Sequence, residues 1–347
     1  MKRDLGRVLD ANGNRAAEGL RVLEDIARFL LDDAPMAELA KGLRHSVRAA
    51  IPVAAVAARD TGGDVGTSIT ASDEMTRSRL VDLVRANAAR VQEALRTAEE
   101  ASKLAGAAPA AAALEAARYA SYRLETGLLA RLPAWRLYQI RLYALVDTSL
   151  TENPVGVAAA VARGGAGAVQ LRAKSLDQRA YRELAERVQA AVRAAGALFV
   201  VNDHAAVARA IGSDGLHLGQ DDLPLGDARA VVGPACALGI SAHTAEQATE
   251  GLRQGADYLG LGPMYATGTK PHEPERGPAL LDAVRDRLGA PHGRPSYAIG
   301  GLDAGRIAAL RPRLPHGVAV AGALCRAPDP ERAAAEILLL LDPDEFP

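Results

Sequence analysis

Beyond residue 141 the chain changes rhythm in a regular way. A short run rich in Val, Ile, Leu and Ala is followed by a longer run whose apolar residues recur at helical spacing, and the unit repeats eight times. The strand-like runs are 142–146, 168–171, 198–201, 215–218, 237–240, 258–261, 296–299 and 318–321. The helical runs follow at 154–164, 177–194, 204–210, 225–231, 244–253, 278–288, 303–310 and 329–341. Strands that alternate with helices are joined by crossovers, so they run parallel and need cover on their outer face. Eight such units in about 200 residues predict an α/β domain, a TIM (β/α)8 barrel over 140–342, with an open doubly wound sheet as the alternative.

A barrel places its chemistry at the carboxyl ends of its strands, and the polar residues fall there. The second run ends in Gln170-Leu171-Arg172-Ala173-Lys174, the third in Asn202-Asp203-His204 and the fourth in His217-Leu218-Gly219-Gln220-Asp221-Asp222. The fifth ends in Ser241-Ala242-His243 and the sixth opens into Gly262-Pro263-Met264-Tyr265-Ala266-Thr267-Gly268-Thr269-Lys270. The seventh and eighth end in Gly300-Gly301 and Ala321-Gly322.

Gln170, Arg172, Lys174 and Lys270 form a multidentate cationic set suited to a diphosphate. Asp203 and Asp222, on adjacent strand ends, suit one hard cation such as Mg²⁺ beside phosphate oxygens. Asn202 and Ser241 offer neutral hydrogen bonds to a heterocycle edge. Gly301, Ala321 and Gly322 present backbone N–H groups for a second anion site, and the hydroxyls of Thr267 and Thr269 around Gly268 make a small anion pocket after the sixth strand. Two anion sites around one cation suggest a diphosphate donor and a phosphorylated acceptor. Structural readings of the same residues stand beside these. Arg172 and Lys174 also fit as salt-bridge partners, Asp203 as a helix N-cap and Asp222 as a turn residue before Pro224. His204 and His243 read as supporting or helix-start residues rather than general bases, and His217 as a packed strand residue.

Ahead of the barrel, residues 1–133 carry helical periodicity without a strand pattern. They parse as helices at roughly 5–32, 35–58, 76–105 and 109–132, with a break expected around Leu132 to Tyr138 at Pro133. The segment beginning Ala11-Asn12 repeats at Ala86-Asn87 as A-N-x-x-R-x-x-E-x-L-R-x-x-E-[DE], and Arg44-His45 is echoed by Arg118-Tyr119. A duplicated helical hairpin closing into an all-α, pseudo-twofold bundle follows. The repeated charges fit an i, i+3/i+4 ladder on a solvated face. That ladder does not explain the paired asparagines, which are poor helix-interior residues. Asn12, Arg15 and Glu18 are therefore expected to face Asn87, Arg90 and Glu93 across a polar cleft, which the glycine-containing stretch from Thr61 to Gly66 would cover. The absence of G-x-x-x-x-G-K-[ST] means that ATP, if bound there, is not held by a P-loop.

A net charge of −1 over 347 residues gives no basic surface for nucleic acid or an anionic membrane. Without an apolar leader or a spanning run, a cytoplasmic address is expected. Cys236 and Cys325 have neither disulfide nor zinc spacing and read as buried thiols.

On the motifs at 170–174, 202–204, 215–222, 239–243, 267–270 and 299–301, the stretch 141–341 resembles the thiamine-phosphate synthase family. That family joins hydroxymethylpyrimidine diphosphate to a thiazole phosphate or its carboxylated tautomer and releases diphosphate. The resemblance implies that residues 170–174, Asn202, Ser241 and Lys270 hold the pyrimidine diphosphate and that Asp203 and Asp222 hold Mg²⁺. It also implies that Thr267 to Thr269 with Gly301, Ala321 and Gly322 hold the thiazole phosphate, and that Arg172, Lys174 and Lys270 assist the leaving group. The chain departs from the family at strand eight. Gly322 stands where a hydroxyl or arginine is frequent, so a contact there is expected from backbone alone. A thiazole tautomerase-like barrel is the alternative within the fold.

The front stretch, by Asp10-Ala11-Asn12, Asn14-Arg15, Glu18-Gly19-Leu20-Arg21, Leu23-Glu24-Asp25, Leu43-Arg44-His45 and Asp64-Val65-Gly66, is similar to a small non-ribokinase family. That family is associated with phosphorylating hydroxymethylpyrimidine phosphate; ATP is one candidate donor, and the sequence does not identify the donor. The alternative is an oligomerisation or docking module, and self-association of the chain is left open.

Overall fold

Local signals start and stop most of the helices. Asp33, Asn153, Asp177, Thr244, Asp303 and Asp329 each accept a backbone N–H three residues on, at the head of a helix. The computed structural model describes residues 2–31, 33–58, 80–267, 274–289 and 294–341. The chain divides into two compact units, Met1–Leu132 and Pro133–Pro347.

The first unit contains α1 (Lys2–Asp25), which continues as a π-helical turn (Ile26–Leu30), α2 (Ala34–Ala50), α3 (Val53–Val56) and α4 (Leu80–Leu104). It also holds α5 (Ala108–Tyr138) up to Leu132. Two boundaries differ from the sequence expectation. The helix expected over 35–58 ends at Ala50 and restarts at Val53, because Pro52 has no N–H to give and biases Ile51 to an extended backbone. The break expected at Pro133 does not occur, and α5 runs through it to Tyr138. Ala134 and Leu137 are buried, and the Leu137 carbonyl accepts from Tyr297 Oη at 2.7 Å. Packing here outweighs one lost helical hydrogen bond.

The duplication is visible in the contacts of this unit. Asn12 Nδ2 donates to Val8 O at 2.8 Å, and Asn87 Nδ2 donates to Leu83 O at 2.9 Å. Both asparagines are buried on their own helices. Buried Glu24 receives Arg44 at 2.8–2.9 Å, and its counterpart Glu99 receives Arg118 at 3.0 Å. Removing one partner of such a pair would strand a buried charge. Gly19 permits the close crossing of α1 and α4, since a Cβ there would lie 2.7 Å from Val91 Cγ2.

The second unit is a closed barrel of eight parallel strands in sequential order. The strands are β1 (Leu142–Asp147), β2 (Ala168–Arg172), β3 (Leu198–Asn202), β4 (Gly215–Leu218), β5 (Ala237–Ala242), β6 (Tyr258–Leu261), β7 (Ser296–Ile299) and β8 (Gly317–Val320). Closure excludes the open doubly wound sheet. The crossover helices are α6 (Pro154–Arg163), α7 (Gln178–Ala194), α8 (Ala205–Ile211), α9 (Leu225–Val232), α10 (Ala245–Arg253), α11 (Ala279–Leu288) and α12 (Ala304–Leu310). A one-turn α13 (Gly322–Cys325) and then α14 (Pro330–Leu340) follow β8.

Alternation along the strands makes two cores. One set packs outward on the helices, and the other, with Tyr143, Ala168, Val200, Ala237, Tyr258, Tyr297 and Ala319, fills the barrel. Three tyrosines from β1, β6 and β7 meet inside, with ring centroids 5.3–6.1 Å apart. Gly239 makes this fit possible, because a Cβ there would lie 2.1 Å from the Tyr258 ring.

The amino-terminal side of the strands is occupied by structural polar groups. Asp214 pairs with Arg136 and Arg193, and Asp257 with Arg229 and Arg294. His316, beside Arg141, has its pKa pushed down to about 4 by burial and then by that neighbouring charge, so the ring is neutral near pH 7.

Candidate active site

Register brings the strand-end residues together. Asp147 and Arg172 are partners across β1 and β2, and Asn202 and His217 across β3 and β4. Buried Asp147 accepts from Arg172 Nη1, and also from Ser149 N and Oγ at 2.8 and 2.7 Å. Its Oδ1 is thereby held by the following turn while Oδ2 orients the guanidinium. Asp147 was not among the sequence candidates, although it obeys the same rule as the others, a polar residue where a strand stops.

Asp203 lies past β3 with φ +62°, a left-handed conformation uncommon for a side-chain-bearing residue. Its backbone N–H donates to His217 O at 2.9 Å, and its carboxylate receives Lys174 Nζ and Asn202 Nδ2. It is not the N-cap of α8; His204 occupies that position, without a side-chain cap bond. Asp222 turns back to accept Gly219 N at 2.6 Å, which agrees with the turn reading and aims the carboxylate at Asp203.

Burial raises the Asp203 pKa, Lys174 opposes this, and Asp222 raises it further. Asp222 is also desolvated, but the Gly219 N–H and the hydrogen bond shared with Asp203 hold its pKa below the ordinary carboxylate value. Two apposed carboxylates, one of them destabilised as an anion, are a donor set that fits a hard cation. Among the described residues no group of three or more His, Cys, Asp or Glu could hold a metal ion. Two carboxylates alone would leave most of a hard cation's shell to water and substrate oxygens.

Below this lies a hydrogen-bonded chain that sequence reading did not anticipate. Gln170 Nε2 donates to Tyr143 Oη at 2.8 Å, Tyr143 Oη meets Tyr258 Oη at 3.1 Å, and Tyr258 Oη meets His217 Nδ1 at 3.1 Å. His217 Nε2 then meets Ser241 Oγ at 3.0 Å. The chain starts at Gln170, from the diphosphate set, and ends at Ser241, the heterocycle contact, and His217, a packed strand residue as expected, also links Tyr258 to Ser241. His243 Nδ1 donates to Gly262 O at 2.7 Å, since a carbonyl can only accept.

Asp147, Gln170, Arg172, Lys174, Asn202, Asp203, Asp222, Ser241 and Thr267 line one cavity at the carboxyl end of the barrel, whereas Leu171 and Ala173 are buried in the outward core and do not line it. A second cavity is lined by Thr267, Gly300, Gly301, Ala321 and Gly322, and also by Arg306 and Arg326. The two share Leu145, Thr267, Ile299, Gly300, Ala319 and Ala321 as a common wall. Gly301 has φ +61°, and a Cβ there would lie 2.6 Å from Ala266 O. Gly268, Thr269 and Lys270 lie outside the described residues, as does the stretch from Thr61 to Gly66.

In the helical unit the structure separates what the sequence grouped. Asn12 and Asn87 are buried and bonded along their own helices, whereas Arg15, Glu18, Arg90 and Glu93 are exposed. No hydrogen bond or ion pair joins the two triplets among the described residues. The asparagines repeat because each satisfies a helical carbonyl inside the bundle.

Comparisons with known proteins agree with this geometry. Residues 142–324 match the family model for thiamine monophosphate synthase, and residues 7–127 match that of the ThiD2 family. A thiamine-phosphate synthase of Synechocystis sp. is 38% identical over 97% of this chain and 96% of its own. One of Gloeobacter violaceus is 42% identical over 96% and 95%. The solved thiamine phosphate pyrophosphorylase from Pyrococcus furiosus superposes with a TM-score of 0.53 at 28% identity, covering 59% of this chain and 96% of that one. With a closed barrel whose strand ends carry the expected chemistry, and with full-length relatives that span both units, the chain belongs to the thiamine-phosphate synthase family and carries a ThiD2-family domain ahead of its barrel.

Proposed function

We propose that the barrel joins a pyrimidine methyl diphosphate to a thiazole phosphate, releasing diphosphate and thiamine phosphate, and that the helical domain makes the diphosphate donor from the monophosphate and ATP. The observation that carries the first part is the pair of cavities with a shared wall. One holds Arg172, Lys174 and the carboxylates of Asp147, Asp203 and Asp222; the other holds glycine backbone and arginines. A donor diphosphate in the first and an acceptor phosphate in the second would bring the pyrimidine methylene and the thiazole nitrogen together at Thr267.

In the reaction the bond from methylene carbon to diphosphate oxygen breaks and the electron pair leaves with the diphosphate. The thiazole nitrogen then supplies the pair for the new carbon–nitrogen bond. No protein nucleophile is needed. Arg172 and Lys174 stabilise negative charge growing on the leaving oxygens, and Asp147 holds Arg172 in orientation. Asn202 and Ser241 fix the pyrimidine edge, and Gln170 joins the diphosphate contacts. Asp203 and Asp222 would hold Mg²⁺, which when bound supplies charge neutralisation at the diphosphate. By the family resemblance Lys270 would bind the donor diphosphate and Thr269 the acceptor phosphate. No helix among the described residues is long and apolar enough to cross a membrane.

The helical assignment rests on the family match, and no catalytic residue is assigned to it. Purified full-length protein given ATP, Mg²⁺, pyrimidine monophosphate and thiazole phosphate is expected to form thiamine phosphate. Product from the diphosphate but none from the monophosphate would limit the chain to condensation and leave the helices a docking or assembly role.

A further inference from the structure

At the carboxyl end of β8 the chain carries Ala321 and Gly322, which have no side-chain donor for an anion. The second cavity nonetheless contains two arginines. Arg306 is already engaged: it donates to Gly301 O, lies near Asp303 at 3.8 Å and stacks over Tyr265 at 4.7 Å. Arg326, one turn beyond Gly322, is exposed and has no carboxylate partner among the described residues. A Cβ built on Gly322 would lie 3.7 Å from Arg326 Nη1, with no other atom within 4 Å. The guanidinium thus folds back over Gly322 at ordinary contact distance, beside the cavity that both residues line, as the i, i+4 relation on a helical turn allows.

We infer that Arg326 is a specificity-determining residue that binds the phosphate of the acceptor substrate, supplying from the α13 turn the charge that the strand end itself lacks. The inference rests on the reading of the second cavity as the acceptor phosphate site. It differs from a backbone-only site in requiring a forked cation rather than N–H groups alone. Thr267, on the wall common to both cavities, would face the same phosphate from the other side.

Steady-state kinetics of full-length Arg326→Gln and Arg326→Lys test this, with thiazole phosphate and the unphosphorylated thiazole alcohol compared as acceptors. For Arg326→Gln, KM for thiazole phosphate is expected to rise about 10- to 100-fold, the loss typical of a hydrogen bond to a charged group. KM for the pyrimidine diphosphate and kcat/KM for the alcohol should stay within about twofold. Arg326→Lys should recover part of the loss. An unchanged KM for thiazole phosphate, or an equal loss with the alcohol, would overturn the inference. Wild-type protein that uses the alcohol as well as the phosphate would instead refute the acceptor-phosphate site itself, which separates the two failures.

Discussion

Asp203→Ala is expected to lower kcat for the condensation by on the order of 10³-fold at saturating substrates, with the fold retained. The residue sits past β3 in a left-handed backbone conformation, held by Lys174, Asn202 and the His217 carbonyl, with its carboxylate opposed to that of Asp222. Truncation removes half of a two-carboxylate cation site and releases Lys174 from its orienting partner. Circular dichroism should be native, because the side chain supports no core contact. Thermal unfolding adds a second readout: Mg²⁺ with diphosphate should raise the wild-type Tm and leave that of Asp203→Ala unchanged. Retention of more than about a tenth of wild-type kcat would show that the aspartate pair does not assist departure of the diphosphate.

The second large effect is expected inside the barrel, beneath the charged strand ends. In Gly239→Ala the new methyl would lie 2.1 Å from the Tyr258 ring, which is fully buried and has no room to retreat among Tyr143, Tyr297 and His217. Overpacking of a dense core costs about 1–3 kcal/mol and occasionally more. Here it would also break the chain of hydrogen bonds from Gln170 to Ser241 at its centre. Denaturant unfolding should show that loss of stability. KM for the pyrimidine diphosphate should rise about tenfold, because Gln170 and Ser241 lose their orientation together. A variant with wild-type stability and KM would mean that Tyr258 moves freely and that the chain does not position the substrate.

Much of the barrel could be read from residue order. The ends of β4, β6 and β7 match the expected strand runs, because each is a buried apolar stretch closed by a glycine or a polar residue. The strand-end rule gathered Gln170, Arg172, Lys174, Asn202, Asp203, Asp222 and Ser241, and the fold places them around one cavity.

Other features were hidden for identifiable reasons. Tyr143 and Tyr258 occur at core positions of their strands, so nothing local marks their hydroxyls as links between Gln170 and His217. Arg326 lies beyond the strand-end motif, in a one-turn helix too short to give a periodic signal. In the helical unit the repeat was visible but its meaning was not. Asn12 and Asn87 were grouped with the nearby arginines and glutamates, yet a side chain's direction around a helix decides whether it meets a partner or its own backbone. The buried partners that do recur, Glu24 with Arg44 and Glu99 with Arg118, are joined across helices.

The most direct measurement is product stoichiometry in a single assay of the full-length protein with pyrimidine diphosphate, thiazole phosphate and Mg²⁺. Diphosphate and thiamine phosphate are expected to appear in equal amounts, with diphosphate release dependent on the thiazole. Diphosphate released at the same rate without thiazole phosphate, or no thiamine phosphate with both substrates present, would contradict the account.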